Sequence, residues 1–180
     1  MYEIGTIKLE TERLILRRLE KNDAKDIFEG FVNQEEFLYY TNKKPRTLEE
    51  EKASLENIEE KYQNKNYYNW LITLKFTKQI IGSVNFNVNL KNDSVTFNYA
   101  IDNRFTNNGY MTEALICLKE FAFNTIKVNR FEGGCVVKNL ASKRVMEKSG
   151  LNQEGVLKNY VKLSDGYHDM LIFAAVNNKN

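Results

Sequence analysis

Residues 95–126 constrain this chain more than any other part of it. Val95, Phe97, Tyr99 and Ile101 alternate with Thr96, Asn98 and Ala100, the period-two pattern of a half-buried strand. A polar stretch follows, Arg104-Phe-Thr-Asn-Asn-Gly-Tyr-Met-Thr-Glu-Ala114. The spacing of Ala114, Leu115, Leu118, Phe121 and Ala122 then predicts a helix over 112–126. A strand that turns through a tight loop into a helix leaves backbone N–H groups free at the helix start. Those donors, with the roughly half positive charge of the helix dipole, favour a bound phosphate. A sheet whose strand end meets a helix N-terminus is therefore required, and a phosphate-bearing cofactor is the first expectation.

The flanking patterns complete such a sheet. A first strand is expected over 13–18, with Leu14 and Leu16 on one face, and a helix from Asn22 or Asp23 that turns Ala24, Ile27, Phe28 and Phe31 inward. Thr47-Leu-Glu-Glu50 has the form of a capping box, which predicts a helix running to about Tyr62. Trp70, Ile72 and Leu74 alternate, as do Val84, Phe86 and Val88, and Lys91-Asn-Asp93 supplies a turn into the 95–101 strand. Beyond the central helix, 131–137 reads as a strand, Asn139 caps a helix through Lys148, and Gly150 suits its stop. Strands over 151–157 and 167–176 close the chain. The order β, two or three helices, βββ, α, β, α, ββ is that of a mixed α/β (α+β) sheet.

With 180 residues, 42% of them hydrophobic, one domain spanning 1–180 is expected. Only Pro45 punctuates the chain, and no Gly/Ser-rich linker or internal repeat divides it. Lys and Arg number 26 against 24 Asp and Glu, and the basic residues are scattered, so the composition gives no reason to expect a nucleic-acid binder. No apolar window is long enough to cross a membrane, and the N-terminus does not read as a signal peptide. Cys117 and Cys135 lack metal-ligand spacing and read as buried packing residues, which suits a reducing cytoplasm and no metal.

Two blocks in the right order, 104–114 and Asn139-Leu-Ala-Ser-Lys-Arg-Val-Met-Glu-Lys-Ser-Gly-Leu151, resemble the GNAT superfamily of acetyl-CoA-dependent N-acetyltransferases. The resemblance runs from Leu9-Glu-Thr-Glu-Arg-Leu-Ile-Leu-Arg17 to Phe173 and is to the branch containing the ribosomal-protein alanine N-acetyltransferases. It implies a mostly antiparallel sheet of about seven strands, flanked by helices, with a splayed central strand pair. It also implies acetyl-CoA as co-substrate and an amine as acceptor. That amine is a protein N-terminal α-amine or a small-molecule amine such as a polyamine or antibiotic. A CoA-binding regulatory protein with little turnover stays open beside these, and a homodimer follows only by analogy.

The resemblance also assigns residues. The loop pattern Gln/Arg-x-x-Gly-x-Gly/Ala places Arg104 first and Gly109 last, with Asn107 where the middle glycine stands. Asparagine is the usual second choice where φ is positive. The N–H groups of Asn107, Asn108, Gly109, Tyr110, Met111 and Thr112 are implied to cradle the CoA pyrophosphate, with charge added by Arg104. The backbone of Tyr99, Ala100 and Ile101 is implied to pair with the pantetheine amides and polarise the thioester carbonyl. Asn139 is implied to bind near the pantetheine arm, beside its reading as an N-cap. Many members place a tyrosine where Met146 stands. Ser142 is then the candidate for holding the sulfur, and otherwise a solvent-facing serine. The family's strand glutamate is absent from Thr96-Phe-Asn-Tyr99, so Glu154 and His168 are the candidate bases, with a water relay also open. A lone histidine in a strand is more often structural, and His168 is read against that expectation. Glu113 reads as a counter-charge to the helix dipole. Residues 31–65, where this superfamily builds acceptor specificity, show no clear preference.

Overall fold

The computed structural model describes residues 2–177. Its elements run β1 (Leu9–Glu10), β2 (Leu14–Arg17), α1 (Ala24–Gly30), α2 (Glu35–Thr41), α3 (Leu48–Ser54), α4 (Ile58–Lys61), β3 (Tyr68–Leu74), β4 (Ile80–Asn89), β5 (Ser94–Ile101), α5 (Tyr110–Phe121), β6 (Arg130–Val136), α6 (Leu140–Lys148), β7 (Asn152–Leu163) and β8 (Gly166–Val176). The strands form one 8-stranded sheet in the order β1-β2-β3-β4-β5-β6-β8-β7. Only β5 and β6 pair in parallel. The sheet exceeds the expected count because the short β1 adds at the edge through Leu9↔Leu16.

Both faces of the sheet are covered. On one, Met111, Leu115 and Leu118 of α5 and Met146 of α6 share a core with Trp70, Phe86 and Phe131. On the other, Ile27, Leu55 and Ile58 pack with Leu71 and Ile80. Adjacent residues of β3 thus serve opposite cores, and each fully buried side chain of this size contributes about 1.5–3 kcal/mol. The capping box forms as expected, with Thr47 Oγ1 accepting from Glu50 N. The single helix expected from it is instead split into α3 and α4. Ser54 Oγ bonds back to Glu51 O at 2.8 Å, and Leu55 N and Glu56 N take the tighter bonds to Lys52 O and Ala53 O. Such local bonding competes with the helical ladder. The central helix likewise ends early, passing at Ala122 into a π turn that Lys127 closes at φ 66.

The feature that positions the site is a parting of strands. β5 and β6 are paired only from Ser94↔Arg130 to Thr96↔Glu132. Beyond Thr96, β5 stays laddered to β4 as far as Ile101, and β6 to β8 as far as Val136. A wedge therefore opens between 97–101 and 133–136. At its root the Phe97 ring lies over Gly133, where a Cβ would come within 2.4 Å of it.

Candidate active site

The wedge opens towards the loop that starts α5. Asn107 sits at φ 61 and Gly109 at φ 76, so the asparagine occupies the left-handed conformation expected of it. The backbone N–H groups of residues 107–112 donate to no acceptor among the described residues. The first bonded N–H of the helix is Glu113, to Gly109 O at 3.0 Å. Free amides wrapped round a helix start fit an anion of phosphate size.

Side chains hold this loop from two sides. Asp102, fully buried at the end of β5, accepts from Arg104 N at 2.9 Å, from the Arg104 guanidinium and from Gln34 Nε2. Burial pushes the Asp102 carboxyl up, but the Arg104 and Gln34 bonds outweigh it and hold it below its ordinary value. Arg104 is therefore folded onto Asp102, which compensates its charge, while its side chain stays largely exposed.

Arg13 is the cation the sequence did not reveal at this place. Its Nη1 donates to Asn108 O at 3.0 Å, its Nε to Glu113 Oε2 at 2.6 Å, and its guanidinium lies over the Tyr110 ring. Thr11 Oγ1 and Arg13 N also donate to Glu113. Glu113 thus ties β2 to the helix start, beyond opposing its dipole. Thr11 and Arg13 lie in the 9–17 segment where the family resemblance begins, but nothing in the sequence pairs them with a residue so distant.

This clamp has a pH signature. Burial raises the Glu113 carboxyl, but the Thr11 and Arg13 bonds dominate and hold it below its ordinary value of about 4.5. A depressed carboxyl stabilises the fold fully above its unfolded pKa and loses that contribution as pH falls through the folded one. Glu113→Gln is expected to lower stability by about 2 kcal/mol at neutral pH. The gap to the native protein should shrink below about pH 4.5. Urea midpoints across pH check this, and a gap constant with pH would exclude the ionised clamp.

Across the wedge, Asn139 Oδ1 accepts from Ser142 N at 3.0 Å, while Asn139 Nδ2 has no partner among the described residues. The cap therefore leaves a donor available for a ligand. Tyr99, three residues past the last β5–β6 pair, turns its ring towards the α5–α6 side. Its hydroxyl is buried with no hydrogen-bond partner among the described residues, and the Ser142 hydroxyl lies beside it outside bonding geometry. Burial drives the Tyr99 phenol well above its ordinary pKa. The sequence pointed to the Tyr99 backbone and missed this hydroxyl. Met146 is fully buried, as an apolar residue at that position should be.

The candidate bases fall in different places. Glu154 stands by the end of the sheet where β5 and β6 still pair, with both oxygens held by Arg130 at 3.2 and 2.6 Å. That pairing holds its carboxyl below the ordinary range. The structure does not bring it to the wedge. His168 Nε2 lies 2.7 Å from Asp165 Oδ1. Asp165 also accepts from Tyr39 Oη and Lys138 Nζ, and its carboxyl is lowered to about 2, chiefly by the His168 bond. The second ring nitrogen of His168 has no partner among the described residues. Cys135 is buried, which pushes its thiol up to about 11 and away from reactivity.

On the face opposite α5 and α6, a cavity of about 300 Å³ runs from Phe31 and Leu55 to Asn98, Tyr99 and Ala100. It meets β5 at the wedge. A larger concavity of about 440 Å³ lies over Tyr68, Asn87 and Leu90, and no residue of the loop lines it. Among the described residues, no helix is long and apolar enough to cross a membrane, and no cluster of potential metal ligands occurs.

The chain matches known proteins over most of its length. The chain is 29% identical over 169 residues to the uncharacterized N-acetyltransferase YoaA of Bacillus subtilis (strain 168), covering 93% of this chain and 96% of that protein. It is 24% identical to the ribosomal-protein-serine acetyltransferase of Escherichia coli (strain K12), covering 95% and 96%. The solved structure of RimL, a ribosomal L7/L12 alpha-N-protein acetyltransferase in complex with coenzyme A, superposes with a TM-score of 0.82 at 20% identity, over 97% of this chain and 100% of that one. The family model described as the acetyltransferase (GNAT) domain matches residues 13–152. That span begins at the clamp residue Arg13 and takes in both walls of the wedge, so the chain belongs to the GNAT acetyltransferase family and is an acetyl-CoA-dependent N-acetyltransferase.

Proposed function

We propose that this enzyme acetylates the α-amine of a peptide or protein N-terminus, with residues 1–180 acting as one catalytic domain. The observation that carries the site assignment is the opening of β5 from β6 beside the unbonded N–H groups of 107–112. Those amides hold the pyrophosphate, and Asn139 Nδ2 and the free edge of 99–101 align the pantetheine arm. The names of the E. coli relative and of RimL support a protein acceptor.

Acetyl-CoA supplies a thioester already activated for transfer. The chain's own task is to present a neutral amine and to receive the sulfur. An α-amine titrates near about 7.7–8.0, against about 10.4 for lysine, and so sheds its proton with little help. As the C–N bond forms and the C–S bond breaks, a backbone N–H of 99–101 stabilises the carbonyl oxygen. The amine proton passes to solvent or to the free nitrogen of His168, which Asp165 orients. The Ser142 and Tyr99 hydroxyls donate to the departing sulfur.

The test is acetyl-CoA binding by calorimetry, then thiol release on adding N-terminal peptides, polyamines or aminoglycosides. Turnover on the peptides is expected, and turnover confined to another amine class would overturn the reading. Ser142→Ala and Tyr99→Phe should each lower kcat by about tenfold or more while acetyl-CoA affinity stays within about threefold. Tyr99→Phe should also leave thermal stability unchanged or raised, because the hydroxyl it removes is buried without a partner among the described residues. An unchanged kcat in both variants would remove them from the reaction.

A further inference from the structure

Two features of the 300 Å³ cavity restrict what can enter it. The first is its floor. Asn69 pairs across the sheet with Asn85, and Asn85 with Asn98, so three side-chain amides stand in one row over β3, β4 and β5. They point to the cavity side, away from α5 and α6. Asn98 Nδ2 reaches Asn85 Oδ1 at 3.3 Å, and Asn69 Nδ2 reaches Tyr67 Oη at 3.1 Å. The remaining amide atoms, Asn85 Nδ2 and Asn98 Oδ1 among them, offer a donor and an acceptor side by side, which is what an extended peptide backbone presents in return.

The second feature is charge. The ionisable acid and base side chains lining the cavity are Lys43, Arg46, Glu51 and Lys61. Glu51 is only 3% exposed, and its carboxylate is taken by Arg46 at 2.9 Å and approached by Ser54. Lys43 lies over the Phe37 ring and Lys61 reaches only the Ser54 carbonyl, so neither ammonium has a carboxylate partner among the described residues. The cavity therefore holds surplus positive charge and no free carboxylate. A polyamine or aminoglycoside would bring further cations against it. An α-amine arrives neutral far more readily, and nearby ammonium groups favour its neutral form still more.

We infer that the acceptor is a peptide N-terminus with an acidic side chain within its first few residues, its backbone read by the Asn69–Asn85–Asn98 row and its acid by Lys43 and Lys61. This rests on the acetyl-transfer reading and names the acceptor class for the same site. Like-charge exclusion and opposite-charge attraction at such a mouth act on selection and weaken with salt.

The experiment compares hexapeptides with free N-termini that differ only in Glu or Lys at positions two to four. Their binding to the CoA-loaded enzyme is measured by calorimetry, and their turnover by thiol release at saturating acetyl-CoA. The acidic peptide is expected to bind and react at least about tenfold better at about 50 mM salt, with the ratio falling below about threefold at about 500 mM. The double variant Lys43→Glu/Lys61→Glu, both exposed positions, should erase or invert the preference. Asn85→Leu should weaken both peptides about equally without changing acetyl-CoA affinity. Equal or better use of the basic peptide or of spermidine, or a preference unmoved by the double variant, overturns the inference. A native enzyme that binds the acidic peptide selectively but releases no thiol with any amine would instead defeat the acetyl-transfer reading and leave the selectivity standing.

Discussion

Replacing Gly109 with tryptophan is expected to weaken acetyl-CoA binding by about 100-fold or more, equivalent to about 2.7 kcal/mol. Gly109 sits at φ 76 as the residue before α5, in the middle of the amides left without acceptors. A side chain there meets two obstacles. The left-handed backbone costs an L-residue about 1–2 kcal/mol, which the loop can relieve only by rotating its N–H groups away from a common centre. The indole also departs from a Cβ that lies 3.6 Å from Arg13 Nη2, so it covers the mouth of the cradle and crowds the clamp. Because the residue is exposed, the fold survives with a melting temperature lower by about 2–8 °C. Asn107→Gly is the matched control. Its native φ of 61 is one glycine adopts freely, so affinity should stay within about threefold. Calorimetry with acetyl-CoA and acetyl-pantetheine separates the causes. The native protein should prefer the nucleotide-bearing ligand, and Gly109→Trp should abolish that preference. An unchanged affinity for acetyl-CoA would remove the phosphates from this loop.

What was legible in the chain was local. The period of two in 95–101 and the helical spacing of 114–122 required a strand and a helix, and Asn107 and Gly109 announced the left-handed turn between them. Buried positions such as Leu115, Leu118, Ile58 and Trp70 follow from the same rhythms, because burial of one face is what those rhythms encode. The features that escaped are contacts between distant segments. Arg13 reaches Glu113, Gln34 reaches Asp102, and Tyr39 reaches Asp165, none of which leaves a periodic trace. The same blindness affected Glu154, whose residue type suited a base, while its position beside Arg130 is set by the pairing of β6, β8 and β7. The break between α3 and α4 was hidden for another reason. Ser54 chooses its own backbone partners over the helical ladder, and apolar spacing carries no record of that choice.

Gly133→Val is expected to destabilise the protein by about 3 kcal/mol, the upper end of overpacking costs in a filled core. Gly133 lies one residue past the last β5–β6 pair, and its missing side chain is the space into which Phe97 fits. The ring cannot swing clear at small cost. It is 3% exposed, stacked on Phe131 at 4.7 Å and followed along the strand by Tyr99 at 6.3 Å. A branched side chain must therefore drive Phe97 towards the wedge or lever β6 further from β5. Thermal unfolding should show a fall of about 6–12 °C, and acetyl-CoA affinity should fall with it, since both movements reshape the gap proposed for the pantetheine arm. Shortening the ring tests the cause. Phe97→Leu alone should cost about 1–2 kcal/mol through lost packing, yet in Gly133→Val/Phe97→Leu the two losses should sum to less than their parts by at least about 1 kcal/mol, with affinity partly restored. Strict additivity would mean that Gly133 is required for some reason other than Phe97. Coupling of this sign makes the parting of the strands a packing decision, in which one aromatic ring and one absent Cβ set where the sheet opens and hence where chemistry can occur.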